Sequence, residues 1–132
     1  MKVLALDFGE ARTGVAVSDP TGTLARPLGV VERAGSGAGL ARLAELVAGE
    51  EADRVVVGLP LTLRGERGAQ AEATERFVEA LRVVVPVPVE TFDERFTTAL
   101  AQQEPASDTP EDARAAAHLL SSYLAWSTAR AR

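Results

Sequence analysis

The chain has 132 residues, a length that fits one domain with a sizeable hydrophobic core. It is 46% apolar and 25% charged, as soluble proteins usually are, and no apolar run approaches the roughly 18 residues of a membrane-spanning helix. The absence of cysteine excludes disulfides, thiolate metal sites and a cysteine nucleophile. Residues 1–7 form too short an apolar run for a signal peptide, so we expect a cytoplasmic protein.

The charge balance limits the kind of nucleic-acid binding to expect. A net charge of −5 argues against strong, non-specific binding to a polyanion. All but one of the 14 basic residues are arginines, whose planar guanidinium suits bidentate contact with phosphate, although arginine codons in a GC-rich genome explain them equally well. Because a local basic patch acts within about 8–10 Å, the negative total does not exclude nucleic acid.

The first third of the chain predicts three strands joined by short turns. Residues 3–6 are a buried strand that ends at Asp7, and Arg12–Ser18 follows too closely for a crossover helix. The turn Asp19-Pro20-Thr21-Gly22 leads into a third strand over residues 24–32. We therefore expect two consecutive hairpins.

The rest of the chain predicts helices alternating with strands. Apolar residues with helical spacing form two faces, Leu40, Leu43, Ala44 and Val47 in the first and Ala69, Ala73, Phe77, Ala80 and Leu81 in the second. Strands are predicted over residues 54–57 and 87–92, a short helix over 97–103, a polar loop over 103–109 and a last helix over 112–127. Helical crossovers make the later strands parallel to a neighbour, so the order predicts a mixed five-stranded α/β sheet with helices on both faces. We expect one domain over residues 1–132.

Acidic residues fall where such a sheet binds ligands. Asp7 ends the first strand, Asp93 and Glu94 follow the last strand, and Asp112 opens the final helix. The carboxyl ends of parallel strands share one edge, so these side chains converge if the first and last strands both belong to the parallel part. Carboxylates without histidine or cysteine suit Mg²⁺ or Mn²⁺, and two such ions about 3.5–4 Å apart could activate water against a phosphodiester.

Each acid also has a structural interpretation. Asp7 could bond its own turn, Asp93 could cap the helix after the last strand, and Glu94 could be solvated. Asp112 lies in Thr109-Pro110-Glu111-Asp112, which is typical of a helix N-terminus with threonine as the cap. Capping and metal binding are compatible, so both stay open for Asp112.

The first segment also resembles the phosphate-binding hairpin of actin-like ATPases and sugar kinases. Its glycines would let backbone approach a phosphate, and Thr13 could donate a hydrogen bond to it. Those proteins close two such domains around a nucleotide, whereas one is predicted here. A nucleotide-binding module is therefore the third functional hypothesis, after the two described below.

Four segments, in order, resemble the motifs of the YqgF/RuvX family. They are residues 7–19, residues 57–61 with Gly65 and Gln70-Ala71-Glu72, residues 93–98, and residues 112–116 running on to Ser122-Tyr123-Leu124. The resemblance implies a ribonuclease H-like fold and a nuclease, which would mature the 5′ end of pre-16S ribosomal RNA or resolve Holliday junctions. Each motif alone is weak, but four in order over nearly the whole chain are specific.

The resemblance also implies roles for particular residues. Asp7, Glu94 and Asp112 would be catalytic ligands of Mg²⁺ or Mn²⁺, with Asp93 as a supporting metal ligand. Gly58-Leu59-Pro60 stands where typical ribonuclease H-like resolvases carry an acid, and the acid after the fifth strand would replace it.

Four arginines are candidate contacts to the substrate, and two of them, Arg12 and Arg95, match motif positions beside the acids. Arg12 and Arg95 would contact backbone phosphates or stabilise charge during phosphoryl transfer, although Arg95 could instead pair with Asp93 or Glu94. Arg64 and Arg67, in the loop after the fourth strand, are candidate contacts to the substrate strand, with a solvated loop as the alternative.

One departure from the family keeps a second function open. Many relatives carry a lysine-rich loop before the last aspartate, whereas residues 103–111 here are acidic and contain no basic residue. The leading hypothesis is a Mg²⁺- or Mn²⁺-dependent nuclease acting on nucleic acid, and the alternative is a non-catalytic RNA-binding factor in ribosome assembly. A junction resolvase needs two sites, which makes a homodimer attractive, and Tyr123 and Trp126 are expected to be core or dimer contacts rather than base-stacking platforms.

Overall fold

The computed structural model describes residues 1–96 and 109–130. Its five strands are β1 Val3–Asp7, β2 Arg12–Ser18, β3 Ala25–Glu32, β4 Arg54–Leu59 and β5 Val89–Asp93. Its α-helices are α1 Gly37–Gly49, α2 Ala69–Val84 and α3 Glu111–Arg130, and a 3₁₀ turn, Glu94–Phe96, follows β5. The predicted helix over residues 97–103 lies outside the described residues, as does almost all of the predicted polar loop.

The strands form one mixed sheet in the order β3-β2-β1-β4-β5. β1 pairs antiparallel with β2, and β2 with β3, while β4 lies parallel to both β1 and β5. The predicted sheet is therefore confirmed. Since β1, β4 and β5 run in the same direction, their carboxyl ends meet at one edge.

Helices α1 and α2 cover one face of this sheet. The hydroxyl of Ser36 caps α1 by accepting a hydrogen bond from the backbone N–H of Gly39 at 3.0 Å. The face of α2 is shifted from the predicted one, because Ala69 is exposed while Thr74 is buried. Thr74 is accommodated because its hydroxyl donates to the carbonyl of Gln70 at 2.9 Å, so that this buried hydroxyl is paired.

Helix α3 covers the other face. Its apolar side packs on the central strands, so the sheet has one core under α1 and α2 and a second core under α3. The second core contains Val3, Ala5, Ala16, Val56, Phe92, Ala116, Leu119, Leu120, Tyr123 and Leu124. Alanines on both surfaces let the helix approach the sheet closely. In the described part of the chain, no helix is long and apolar enough to cross a membrane.

Candidate active site

Asp7 lies at the centre of the edge where the parallel strands end. It is the last residue of β1 and pairs with Gly14 of β2, while Leu6 before it pairs with Val57 of β4, so that Gly58 comes next on that strand. Residues side by side on neighbouring strands point to the same face. The carboxyl of Asp7 therefore lies on the face covered by α3, with a glycine on either side.

Gly58 leaves the space that Glu94 fills. A Cβ atom on Gly58 would lie 2.6 Å from Oε1 of Glu94 and 3.1 Å from Cδ2 of Leu119. The 3₁₀ turn brings Glu94 back over the sheet edge immediately after β5. Gly58, near the end of β4, thus leaves room for the carboxyl of Glu94, which follows β5.

Gly14 does the same for the first turn of α3. A Cβ atom on Gly14 would lie 1.8 Å from the carbonyl oxygen of Asp112, a distance that no side chain tolerates. Helix α3 therefore begins directly on the backbone of β2. This contact brings Asp112 to one side of Asp7, while Glu94 lies on the other.

Asp7 and Glu94 are in direct contact. The Glu94 carboxyl donates a hydrogen bond to the Asp7 carboxylate, and both groups are half-buried. Burial, followed by the neighbouring Asp7 charge, raises the pKa of Glu94 to about 7. Burial also raises the pKa of Asp7, with a further contribution from the Asp112 charge and an opposing one from the hydrogen bond. Near neutral pH the pair therefore holds a proton, which a cation could displace.

Asp112 is held by Arg12. The guanidinium Nε of Arg12 lies 3.3 Å from Oδ2 of Asp112, and the arginine side chain is largely exposed. Within residues 1–96 and 109–130, no three His, Asp or Glu side chains are close enough as they stand to hold one metal ion. The donor chemistry nevertheless fits a hard divalent cation, since Asp7, Glu94 and Asp112 all offer carboxylate oxygens. To join them, Asp112 has to exchange Arg12 for the ion.

Asp93 and Arg95 form the ion pair that the sequence left as the alternative. Arg95 donates from Nε and Nη2 to Oδ2 of Asp93 at 2.9 and 2.6 Å, and its backbone N–H donates to Oδ1 at 2.9 Å. These contacts lower the pKa of Asp93. Arg95 is therefore neutralised, and Asp93 is turned towards it.

The same guanidinium braces the loop between β4 and α2. Nη1 of Arg95 lies 3.5 Å from the carbonyl oxygen of Leu63, and a Cβ atom on Gly65 would lie 3.2 Å from that nitrogen. Gly65 has a φ of +81°, which also favours glycine there. Sequence reasoning missed this contact, and the only signal for it was the glycine that follows Arg64.

The two loop arginines differ in their environment. Arg67 donates from Nε to Oε1 of Glu75 at 2.7 Å, which ties it to α2, whereas Arg64 is exposed at the tip of the loop. The predicted solvated loop thus describes Arg64 better than Arg67. Neither arginine is part of the carboxylate contacts around Asp7.

Thr13 stabilises the turn between β1 and β2. Its side chain is fully buried, and its hydroxyl lies 3.3 Å from the carbonyl oxygen of Gly9 and 3.4 Å from the backbone nitrogen of the same residue. A hydroxyl engaged in this way has no free direction towards a phosphate. The contact weakens the reading of this hairpin as a nucleotide-binding motif.

Comparison with known proteins gives the family. A family model described as RuvX, Holliday junction resolvase, matches residues 1–126. A protein of Chloroflexus aggregans is 50% identical over 101 residues, which cover 76% of this chain and 71% of that protein. One of Chlorobium chlorochromatii is 42% identical over 135 residues, which cover 93% and 94%. Both carry the name "Putative pre-16S rRNA nuclease".

Solved structures agree in fold at lower identity. Thermus thermophilus RuvC in complex with a Holliday junction substrate matches with a TM-score of 0.62 at 20% identity, over 97% of each chain. Fowlpox virus resolvase in complex with junction DNA matches with a TM-score of 0.50 at 12% identity, over 99% of this chain and 98% of that one. The chain therefore belongs to the RuvX family and has the ribonuclease H-like fold.

Proposed function

We propose that this protein is a divalent-metal-dependent nuclease that hydrolyses phosphodiester bonds in structured nucleic acid. The observation that carries the proposal is the contact between Asp7, at the end of β1, and Glu94, in the turn after β5, two carboxyls that lie together at the sheet edge. Grouping acids in a half-buried position is costly unless a cation binds them. The names of the relatives make pre-16S ribosomal RNA the first substrate to test, at the 5′ end that the sequence resemblance implies, and the family description makes a Holliday junction the second.

Asp7, Glu94 and Asp112 would hold Mg²⁺ or Mn²⁺. When bound, such ions lower the pKa of water and stabilise charge on the leaving oxygen of a phosphodiester. Asp7 would be the central ligand because it lies between the other two. Glu94 would lose its proton on binding, and Asp93 would support the site indirectly by holding Arg95 and the loop behind it.

Arg12 would then act on the substrate. Once Asp112 turns to the ion, the exposed guanidinium of Arg12 is free to donate two hydrogen bonds to a backbone phosphate beside the site. Arg64 would reach the same strand from the loop after β4, whereas Arg95 keeps its partner Asp93. The guanidinium of Arg12 would therefore become available to bind a polyanion when the carboxylates are neutralised.

The direct test is cleavage of two labelled substrates, a pre-16S fragment that spans the mature 5′ end and a four-way DNA junction. We expect cleavage of at least one with Mn²⁺ or Mg²⁺ and none in EDTA. Asp7→Asn should abolish it, and Glu45→Gln, an exposed change on α1, should leave it intact. Cleavage that persists in Asp7→Asn at the wild-type rate would remove Asp7 from the mechanism.

A non-catalytic RNA-binding role in ribosome assembly is the second candidate. The ion pair between Arg12 and Asp112 favours it, because that contact keeps the third carboxylate away from the other two. This role predicts RNA binding that does not change with Mn²⁺ or with Asp7→Asn. If junctions are the substrate, the protein would work as a homodimer, and sedimentation velocity would show a dimer with or without DNA.

A further inference from the structure

Four of the six aromatic rings of the chain lie together at the end of β5, on the face covered by α3. The centroid of Phe92 is 6.0 Å from that of Phe96, 5.7 Å from that of Tyr123 and 5.5 Å from that of Trp126. Phe92 and Tyr123 are buried. Phe96 and Trp126 are 58% and 38% exposed, so the cluster has a core half and a surface half.

The surface half is next to the carboxylates. Phe96 ends the 3₁₀ turn that begins with Glu94, and the residue between them, Arg95, is fixed on Asp93. The guanidinium of Arg130 lies over Trp126 at 4.7 Å from the ring centroid, which adds a positive charge to the patch. Phe96 therefore lies beside the site, and the contacts of Phe92 with both rings continue the patch to Trp126 and its cation.

The size of the patch argues for a small occupant. Since an aromatic side chain has about 150–250 Å² of surface, the two rings together expose about 200 Å². A stable protein interface needs about 800 Å² on each partner, so these rings are too small to hold a second copy of the chain. An area of this size matches the face of one nucleobase.

Stacking also attracts a base to the protein in a way that is not weakened by the charge of the carboxylates. The chain carries a net charge of −5, and its acids repel phosphates until they are neutralised. Base stacking on aromatic rings does not depend on charge and tolerates any sequence, because every base has a π face. A stacking surface beside an acidic site would therefore hold a strand whose backbone the site alone binds weakly.

We propose that Phe96 and Trp126 form a stacking surface for an unpaired base of the strand whose phosphodiester lies at Asp7 and Glu94, a role that replaces the core or dimer contact expected for Trp126 from the sequence. Arg130 contacts the backbone of the same strand. The inference rests on the proposed nuclease function for the identity of the strand, and it adds that the substrate has at least one unpaired nucleotide next to the cut.

The test uses Trp126, the only tryptophan of the chain, as an intrinsic fluorescent reporter. A short single-stranded oligoribonucleotide is titrated in EDTA, where no hydrolysis occurs, in parallel with an abasic chain of the same length. We expect saturable quenching by the oligonucleotide and affinity about tenfold weaker for the abasic chain. Equal affinity for the two chains would overturn the proposal, because backbone charge alone would then explain binding.

Matched variants separate the ring from its apolar area. Phe96→Leu keeps an apolar side chain without a π face and should weaken oligonucleotide binding about tenfold, while Phe96→Tyr should keep it. Val83→Ala on α2, where the side chain is 85% exposed, is the control and should change nothing. Near-wild-type thermal melting of Phe96→Leu and Phe96→Tyr would show that both fold.

Other outcomes distinguish this inference from the nuclease proposal. Phe96-dependent binding without any cleavage would keep the stacking surface and refute the nuclease. Metal-dependent cleavage together with wild-type affinity in Phe96→Leu would refute the stacking surface alone. A dimer in sedimentation that Phe96→Leu dissociates, with unchanged oligonucleotide affinity, would assign the patch to a second copy and overturn the inference.

Discussion

The Glu94 carboxyl occupies the volume that a side chain at Gly58 would need, with Oε1 only 2.6 Å from the position of a Cβ atom there. Gly58→Ala should therefore displace Glu94, which is a flexible side chain and can move. We expect a folded protein, destabilised by about 1–3 kcal/mol, with cleavage reduced roughly 100-fold. Gly29→Ala, where a Cβ meets nothing within 4 Å, is the control. Full cleavage by Gly58→Ala would show that the position of Glu94 is unimportant.

Gly14→Ala should act on the fold before it acts on chemistry. The added Cβ meets the backbone of Asp112 instead of the end of a side chain, so the first turn of α3 has to lift off β2. We expect a loss of about 3 kcal/mol or more in the free energy of unfolding, measured by urea denaturation. A loss no greater than that of Gly29→Ala would mean that α3 does not rest on β2.

The stability of the metal-free protein should fall as pH rises through about 7. The pKa of Glu94 is raised to about 7 from an ordinary 4.5, so the folded state holds a proton that the unfolded state releases. The stabilising contribution is complete below the unfolded value and is lost as pH rises through the folded value. The raised pKa of Asp7 acts in the same direction.

Glu94→Gln isolates this contribution. The melting temperatures of wild type and Glu94→Gln are compared in EDTA between about pH 4 and about pH 8. As pH rises, the melting temperature of the wild type should fall steadily relative to that of the variant. Mg²⁺ or Mn²⁺ should remove the difference in slope by binding the ionised pair. A pH-independent difference would mean that the two carboxyls do not share a proton.

Arg12→Gln should have opposite effects on metal and on nucleic acid. Without the guanidinium, Asp112 is free to join the other carboxylates, so Mn²⁺ affinity measured by calorimetry should rise roughly two- to fivefold. Oligonucleotide affinity in the presence of metal should fall by a similar factor, because a phosphate donor is lost. Arg42→Gln on α1 is the control. A fall in both affinities would show that Arg12 positions Asp112 instead of competing for it.

The sheet could be predicted because its signals are local. Short apolar runs marked the strands, and the length of each connection decided between a hairpin and a crossover. The position of Asp7 at the end of β1 followed from the same reasoning. The face of α2 was less accurate, since a buried threonine that satisfies its own hydroxyl looks polar in the sequence.

The detailed contacts of the site depend on residues far apart in the chain. The bracing of Leu63 and Gly65 by Arg95, and the choice of Asp93 as its partner, depend on how the loop after β4 folds back. The resemblance named Asp112, but its pairing with Arg12 depends on helix α3 resting on Gly14. No periodic pattern in the sequence encodes such contacts.

Helix α3 ties the acidic site to the integrity of the core. This helix of 20 residues carries Asp112 in its first turn, half of the residues of the second core along its length, and Trp126 with Arg130 near its end. Any fluctuation that detaches α3 from the sheet removes a carboxylate and part of the aromatic surface, and exposes the second core. Unfolding of α3 would therefore dismantle the acidic site and the aromatic surface in the same step.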